Sequence, residues 1–244
     1  MNLRLQKTLL STKPDPQSVM MGLVSYMVLV LLFFWDNQSL TANGTQVFEH
    51  GQYWRAFTSQ LMHGDFSHLG GNTIFFTAFS ILLTHYFGFW VFPVLSLIVG
   101  GVINLIALKI YDPQITLVGI SGVIYFMAAF WMTMFVLVER QMSLYRRLMI
   151  ATGVSLILFF PEVFQKNVSY LAHGLGFGFG LILGGAYFGV FKNSIRSHEV
   201  WVEIPPADTA LEDYIDALEA YEAEQLEIKK GDPKVACEEC STLQ

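Results

Sequence analysis

The sequence predicts an all-α, polytopic membrane protein: a bundle of six spanning helices followed by an acidic C-terminal cytoplasmic helix. Of its 244 residues, 53% are apolar and only 14% are charged, whereas a soluble domain carries about 25% charged residues. Six apolar stretches approach the roughly 20 residues that a membrane-spanning helix needs. Soluble helices this apolar would have to be buried on every side. This composition argues against a cytosolic enzyme and against a nucleic-acid-binding protein.

The six predicted spans cover the chain up to residue 192. In chain order they are 18–35, 66–84, 88–109, 120–138, 147–161 and 168–191. The fifth is short, and Pro161 marks its end. The first has the basic flank of a signal peptide, but no small-x-small cleavage site follows Trp35, so we interpret it as a retained span.

The placement of Lys and Arg predicts that both termini are cytoplasmic. With the N-terminus inside, eleven of these residues lie in inner segments and only Arg55, Lys109 and Lys166 lie outside, as the positive-inside rule requires. The chain then divides into a cytoplasmic segment 1–17, a membrane domain 18–192 and a cytoplasmic tail 193–244. We expect a multi-pass protein of a bacterial inner membrane. The second, fourth and sixth spans all begin at the outer face, so their first turns can meet.

Those first turns carry polar residues, which are costly inside a membrane and therefore indicate function. The second span opens after Asp65, a predicted N-cap, and presents His68 and Asn72 on one helix face. Ser121 opens the fourth span and His173 the sixth. The set contains a hydroxyl nucleophile, a base and two hydrogen-bond donors.

The chemistry of these residue types suggests nucleophilic catalysis. Ser121 is a weak nucleophile until a base removes its proton, and histidine, here His173, is the side chain that commonly serves as that base. His68, Asn72 and the backbone N–H of Ser121 at a helix start can stabilise an oxyanion. A membrane-embedded carboxylate that would orient His173 is not evident, but Tyr125 lies one turn below Ser121 and can pack on the imidazole.

Glycines on the sixth span favour a close contact between the helices that carry serine and histidine. Gly176, Gly180 and Gly184 repeat at intervals of four residues on one face, and small residues at such spacing let membrane helices approach closely. Gly122 beside the serine serves the same purpose. A hydrogen bond between Ser121 and His173 requires such an approach.

Together these residues resemble the rhomboid intramembrane serine proteases over residues 18–192. The resemblance rests on four motifs in the family's order. They are Trp54-Arg55, His63-x4-His68-x3-Asn72, Gly119-x-Ser121-Gly122 and Ala172-His173-x2-Gly176-x3-Gly180. Each motif alone is weak, but the four on consecutive predicted elements are specific, and the catalytic positions show no departure from the family pattern.

The resemblance implies a serine endopeptidase that cleaves transmembrane proteins at helix-breaking segments. It implies a Ser121–His173 dyad, an oxyanion site that includes His68, Asn72 and Gly119, and Tyr125 stacked on the histidine. His63 would be an auxiliary residue, and Trp54 and Arg55 would belong to the outer loop. The same resemblance assigns a gate to the fifth span and the loop Pro161–Val168, with Phe164 above the site.

Other interpretations remain open at this point. Ser121 can be a small packing residue, and Trp54 with Arg55 can be an interfacial anchor. A catalytically inactive relative that binds membrane clients would be expected to lack the serine or histidine. A metal-dependent hydrolase using His63, His68 and His173 would normally have a carboxylate ligand, and no HExxH motif occurs. A transporter would show repeats with broken helices, which the sequence lacks. We predict no cofactor and no metal.

The tail is acidic, with 13 Asp and Glu against 4 Lys and Arg in residues 193–244. A capping box at Thr209–Glu212 and apolar residues at helical spacing predict an amphipathic helix over about 209–229. It is either a solvated helix or an element for docking or self-association. Cys237 and Cys240 form a lone CxxC, and since structural zinc needs four ligands we interpret them as free thiols.

Overall fold

The computed structural model describes residues 3–35, 38–159 and 169–204, together with 215–216, 218–219 and 221–222 in the tail. Helices dominate this part of the chain. They are α1 Pro16–Trp35, α2 Arg55–Thr58, α3 Phe66–Phe87, α4 Ser96–Ile110, α5 Ser121–Val138, α6 Leu144–Phe159 and α7 Tyr170–Arg196. Strands β1 (Leu3–Lys7) and β2 (Val200–Glu203) form a two-stranded sheet. Helices α1 to α7 lie within one compact unit, residues 5–200.

Five helical segments of the described part of the chain are long and apolar enough to cross a membrane. They are Pro16–Trp35, Phe66–Phe87, Trp90–Ile110, Ser121–Val138 and Tyr170–Arg196. The outward side chains of α1, such as Met20, Leu23 and Leu31, are more than half exposed, which suits lipid rather than water. The prediction of an all-α polytopic membrane fold is confirmed. Helix α6, Leu144–Phe159, overlaps the predicted fifth span 147–161 and begins three residues before it.

Side-chain caps define where the first two spanning helices begin. Asp15 Oδ1 accepts the backbone N–H of Ser18 at 2.8 Å, and Pro16 occupies the first helical position, where its missing N–H costs nothing. Asp65 Oδ1 accepts the backbone N–H of His68 at 2.8 Å, which confirms the predicted N-cap of α3. Both helices therefore start where the sequence provides a hydrogen-bond acceptor.

The centre of the bundle is α5, packed most extensively against α7. Phe126 and Phe130 of α5 are fully buried. A Cβ atom built on Gly176 would lie 2.3 Å from the Gly122 carbonyl oxygen, and one built on Gly180 would lie 2.4 Å from the Phe126 carbonyl oxygen. Only glycine permits the two backbones to come this close, so the predicted role of the glycine face is confirmed.

Polar contacts tie the loops together at the end of the bundle away from Ser121. Thr8 donates a hydrogen bond to the buried carboxylate of Glu139 at 3.0 Å, just after α5. Arg140 pairs with Glu199 at 2.8 Å, just after α7. The beginning of the described chain and the end of α7 therefore lie at the same end of the bundle.

The structure departs from the sequence-based prediction in three places. The β1–β2 sheet was not expected in an all-α fold, because strands of only five and four residues are short for a recognisable pattern of alternation. Helix α7 extends to Arg196, five residues beyond the predicted span. Phe92 has an extended backbone, so regular helix in the third span starts only at α4.

Several predictions fall partly or wholly outside the described residues. The gate loop Pro161–Val168 with Phe164, and the CxxC pair Cys237 and Cys240, lie outside them. Of the predicted tail helix, the described residues 215–216, 218–219 and 221–222 are helical, and Ile215, Leu218 and Tyr221 are exposed.

Two glycines on opposite faces of α7 provide a matched test of the α5–α7 contact. Gly180→Ala is expected to lower the free energy of unfolding by about 1–3 kcal/mol, because the added methyl group overpacks the interface. Gly178→Ala meets no atom within 4 Å and is expected to be neutral, or to gain up to about 1 kcal/mol from helix propensity. Chemical unfolding in detergent micelles measures both, and equal effects would contradict this account of the interface.

Candidate active site

The first turns of α5 and α7 bring a serine and a histidine into hydrogen-bond contact. Ser121 Oγ and His173 Nε2 lie 2.7 Å apart. His173 is buried, with 4% of its surface exposed, whereas Ser121 is half-buried. The pair is joined across 52 residues of sequence, and the glycine contact one turn further along α7 brings the two helices close enough for the bond to form.

Tyr125 fixes the plane of the imidazole. Its ring stacks on that of His173 with centroids 4.3 Å apart and planes inclined by 13°. Tyr125 lies one turn after Ser121 on α5, and 3% of its surface is exposed. Because the same helix carries both the hydroxyl and the stacking ring, α5 sets the position and the orientation of the base together.

Gly119 lies between the dyad and two polar side chains of α3. Its φ of +110° is a conformation that L side chains rarely adopt. A Cβ atom there would lie 2.7 Å from Nε2 of His68 and 3.7 Å from Nδ2 of Asn72. His68 and Asn72 therefore flank the backbone two residues before Ser121, where donors to a developing oxyanion are useful.

The backbone N–H of Gly119 is already engaged. It donates to the carbonyl of Ser59 at 3.2 Å. Gly119 therefore contributes its small size and its unusual φ rather than an N–H donor. The N–H of Ser121, among the first of α5, has no carbonyl acceptor within its own helix.

His63 holds the amide of Asn72. Its Nε2 lies 3.1 Å from Asn72 Nδ2, and an amide nitrogen only donates, so the ring nitrogen accepts and the histidine is neutral. Burial, and secondarily the neighbouring His68, lower the pKa of His63 to about 4. His63 therefore keeps its acceptor at neutral pH, and the second N–H of Asn72 remains for another partner.

Trp54 and Arg55 support the outer loop rather than the dyad. The Arg55 guanidinium donates to the carbonyl oxygens of Ser39 and, at 2.9 Å, Thr41. It also lies 4.9 Å from the centroid of the Trp54 ring, and that ring is 48% exposed. These contacts favour the interpretation of the pair as an interfacial anchor.

Sequence reasoning missed a buried asparagine beneath the same loop. Asn104 of α4 donates through Nδ2 to the Ala56 carbonyl at 3.0 Å and to Ser59 Oγ at 3.2 Å. It thereby steadies the residue whose carbonyl accepts the Gly119 N–H. The sequence does contain an indication of Asn104, because a polar amide inside an apolar span is costly and is typical of a residue with a specific role.

Within the described residues, His, Cys, Asp and Glu side chains form no group of three that could hold a metal ion. His63 and His68 lie together, with ring centroids 5.1 Å apart. The metal-hydrolase interpretation therefore finds no ligand set in that part of the chain.

The sequence around this site matches a known protein family. The model of the Rhomboid domain matches residues 50–190, more than half of the chain. The chain belongs to the rhomboid family. No curated protein matches the sequence. The matched range of this rhomboid runs from before Trp54 to beyond Gly184, so it includes all four motifs.

The lowered pKa of His63 leads to a prediction about acid stability. A histidine whose pKa is about 4 in the folded state and about 6.5 in the unfolded state takes up a proton on unfolding between these values. The free energy of unfolding should therefore fall as the pH drops from 6.5 towards 4. His63→Gln keeps an acceptor for Asn72 but does not titrate. The slope of the free energy of unfolding against pH should therefore decrease by the contribution of up to one proton.

Denaturant titrations of both proteins at half-unit pH steps measure the two slopes. The exposed His50→Gln variant serves as the control and should retain the wild-type slope. Identical slopes for His63→Gln and wild type would contradict the buried, neutral state of His63.

Proposed function

We propose that this rhomboid is an intramembrane serine endopeptidase, with Ser121 as nucleophile and His173 as general base. The observation that supports this most directly is the 2.7 Å contact between Ser121 Oγ and His173 Nε2 at the junction of α5 and α7. Serine at a helix interface is often only a small packing residue, but packing does not require a buried histidine aligned with its hydroxyl. The stacked Tyr125 adds an orienting group for that base.

The reaction proceeds through an acyl-enzyme. His173 Nε2 takes the hydroxyl proton as Ser121 Oγ bonds to the carbonyl carbon of the scissile peptide. The resulting oxyanion accepts hydrogen bonds from His68, Asn72 and the backbone N–H of Ser121. Protonated His173 then gives its proton to the leaving amine as the C–N bond breaks. Water, deprotonated by the same histidine, hydrolyses the ester and restores Ser121.

The location of the dyad defines the class of substrate. The dyad lies in the first turns of two spanning helices, close to one end of the bundle. A transmembrane helix hides its carbonyl groups in hydrogen bonds, so a substrate must unwind to present one. We therefore propose membrane proteins with helix-breaking residues near one end of a transmembrane segment.

The proposed placement in the cell follows from the distribution of charge. By the positive-inside rule, the excess of Lys and Arg in the predicted inner segments supports cytoplasmic termini and a dyad near the outer face, and we propose a bacterial inner membrane. No cofactor enters the proposed reaction. Docking or self-association through the tail helix stays a prediction.

An inactive rhomboid that only binds membrane clients is the alternative. It would not need a hydrogen bond between serine and histidine, and it predicts no covalent reaction with serine-directed reagents. The same experiment therefore separates the two functions.

Ser121→Ala and His173→Ala are expected to reduce cleavage of a model transmembrane substrate by at least about 1,000-fold, since removing a nucleophile or its base abolishes most of the catalysis. Ser121→Ala should also abolish covalent labelling by a serine-reactive phosphonate. Cleavage is followed by gel analysis and labelling by mass spectrometry, both with purified protein in detergent.

Ser80→Ala is the matched control. Ser80 is fully buried on α3, and its hydroxyl donates to the Phe76 carbonyl of its own helix, so this variant should retain wild-type cleavage and labelling. A chelator should leave the activity unchanged. Labelling of Ser121→Ala at the wild-type rate would refute the proposal, and a wild type that neither cleaves nor labels would favour the client-binding alternative.

A further inference from the structure

The beginning of α7 is held from outside its own helix. Tyr111 follows directly after α4, and its phenol oxygen lies 2.9 Å from Oγ of Ser169, the residue before α7. Both residues are half-buried. The contact joins residues 58 positions apart, and neither belongs to the motifs that the sequence analysis singled out.

Ser169 is also bonded to the first turn of α7. Its Oγ accepts the backbone N–H of Ala172 at 3.3 Å, as an N-cap does. Its carbonyl accepts the backbone N–H of His173 at 3.1 Å. One residue therefore links the Tyr111 hydroxyl to the backbone that carries the imidazole.

The first turn of a helix is the part that frays most readily, because its N–H groups lack partners within the helix. His173 closes that turn, and its own N–H is bonded to the Ser169 carbonyl, whereas the tightest glycine contacts of α7 with α5 begin later, at Gly176. Between the helix start and Gly176, Tyr125 stacks on the imidazole and Ser169 bonds to the backbone of His173.

We infer that Tyr111 is a positioning residue for the base of the proposed protease, acting through Ser169 to hold the first turn of α7 in register with Ser121. The inference rests on the proposed function. Tyr111 does not touch the dyad, so its effect should be on the rate of the chemical step rather than on the binding of substrate.

The most conservative test is Tyr111→Phe, which removes a single oxygen atom. We expect kcat to fall about three- to tenfold, the equivalent of one net hydrogen bond, while KM changes less than twofold. The rate of phosphonate labelling should fall by the same factor as kcat. Tyr145→Phe is the control, since Tyr145 is 74% exposed on α6 and its hydroxyl should have no influence on either rate.

A second pair of variants changes the other partner. Ser169→Thr retains the hydroxyl and should stay within about twofold of wild type, whereas the similarly shaped Ser169→Val loses both the cap and the contact and should be slower than Tyr111→Phe. If the two residues act through one bond, Tyr111→Phe should have no further effect in the Ser169→Val background.

A purely structural role predicts a different pattern. Activity would then follow the folded fraction, and the difference from wild type would vanish well below the unfolding temperature. The inference instead predicts that the loss of kcat persists there. All rates are therefore measured at least about 20 °C below the lowest unfolding midpoint among the variants. This margin is roughly three times the shift of the midpoint that a loss of 1–2 kcal/mol in the free energy of unfolding would cause.

The outcomes separate the two proposals. A wild type that neither cleaves nor labels overturns the proposed function, and the positioning role fails with it. If wild type reacts and Ser121→Ala does not, the proposed function stands. In that case wild-type kcat in Tyr111→Phe, or additive effects in the double variant, overturn only the positioning role.

Discussion

The close approach of α5 and α7 is the constraint on which the rest of this rhomboid depends. Lipid is as apolar as the helix surfaces, so no hydrophobic force drives the two helices together, and van der Waals contact between the backbones supplies the attraction instead. Gly176 and Gly180 permit that contact because a single Cβ at either position would lie within 2.4 Å of a carbonyl oxygen on α5. The hydrogen bond between Ser121 and His173 depends on this close contact of the two backbones. A shift of 1 Å between the helices would exceed the whole range over which such a bond is strong.

The polar groups near the dyad support one another through short contacts between elements. Ser59 accepts the N–H of Gly119, Asn104 donates to Ser59, and His63 accepts from the amide of Asn72. Each bond satisfies a group that would be costly to bury alone, and each also restricts the geometry around the dyad. The same bonds therefore contribute to stability and to the geometry of the proposed site, and removing one partner is expected to affect both.

The two ends of the bundle are both polar, but they differ in the kind of contacts that they contain. The end near Ser121 contains the Ser121–His173 contact and, beside it, His68, Asn72 and His63. The opposite end consists of closed pairs such as Arg140 with Glu199 and Thr8 with Glu139, which tie the loops after α5 and α7 to each other and to the N-terminal segment. Between the ends the core of α5 is apolar. The polar residues of the proposed site thus lie at one depth, and the contacts at the opposite end hold together the helices that carry them.

Local composition and spacing within single helices were enough to predict the apolar spans, the cap of α3 and the glycine face of α7. They also pointed to Ser121 and His173 as the residues that come into contact. The sequence did not determine which residues of different elements bond to each other. The pairs Tyr111–Ser169 and Gly119–Ser59 join distant parts of the chain, and they depend on the rotation of helices whose faces are almost uniformly apolar and give no periodic signal. The β1–β2 sheet likewise pairs a strand from the beginning of the described chain with one that follows α7. These contacts follow from the tertiary structure, because a hydrogen bond between two elements depends on their relative positions, which no local sequence pattern encodes.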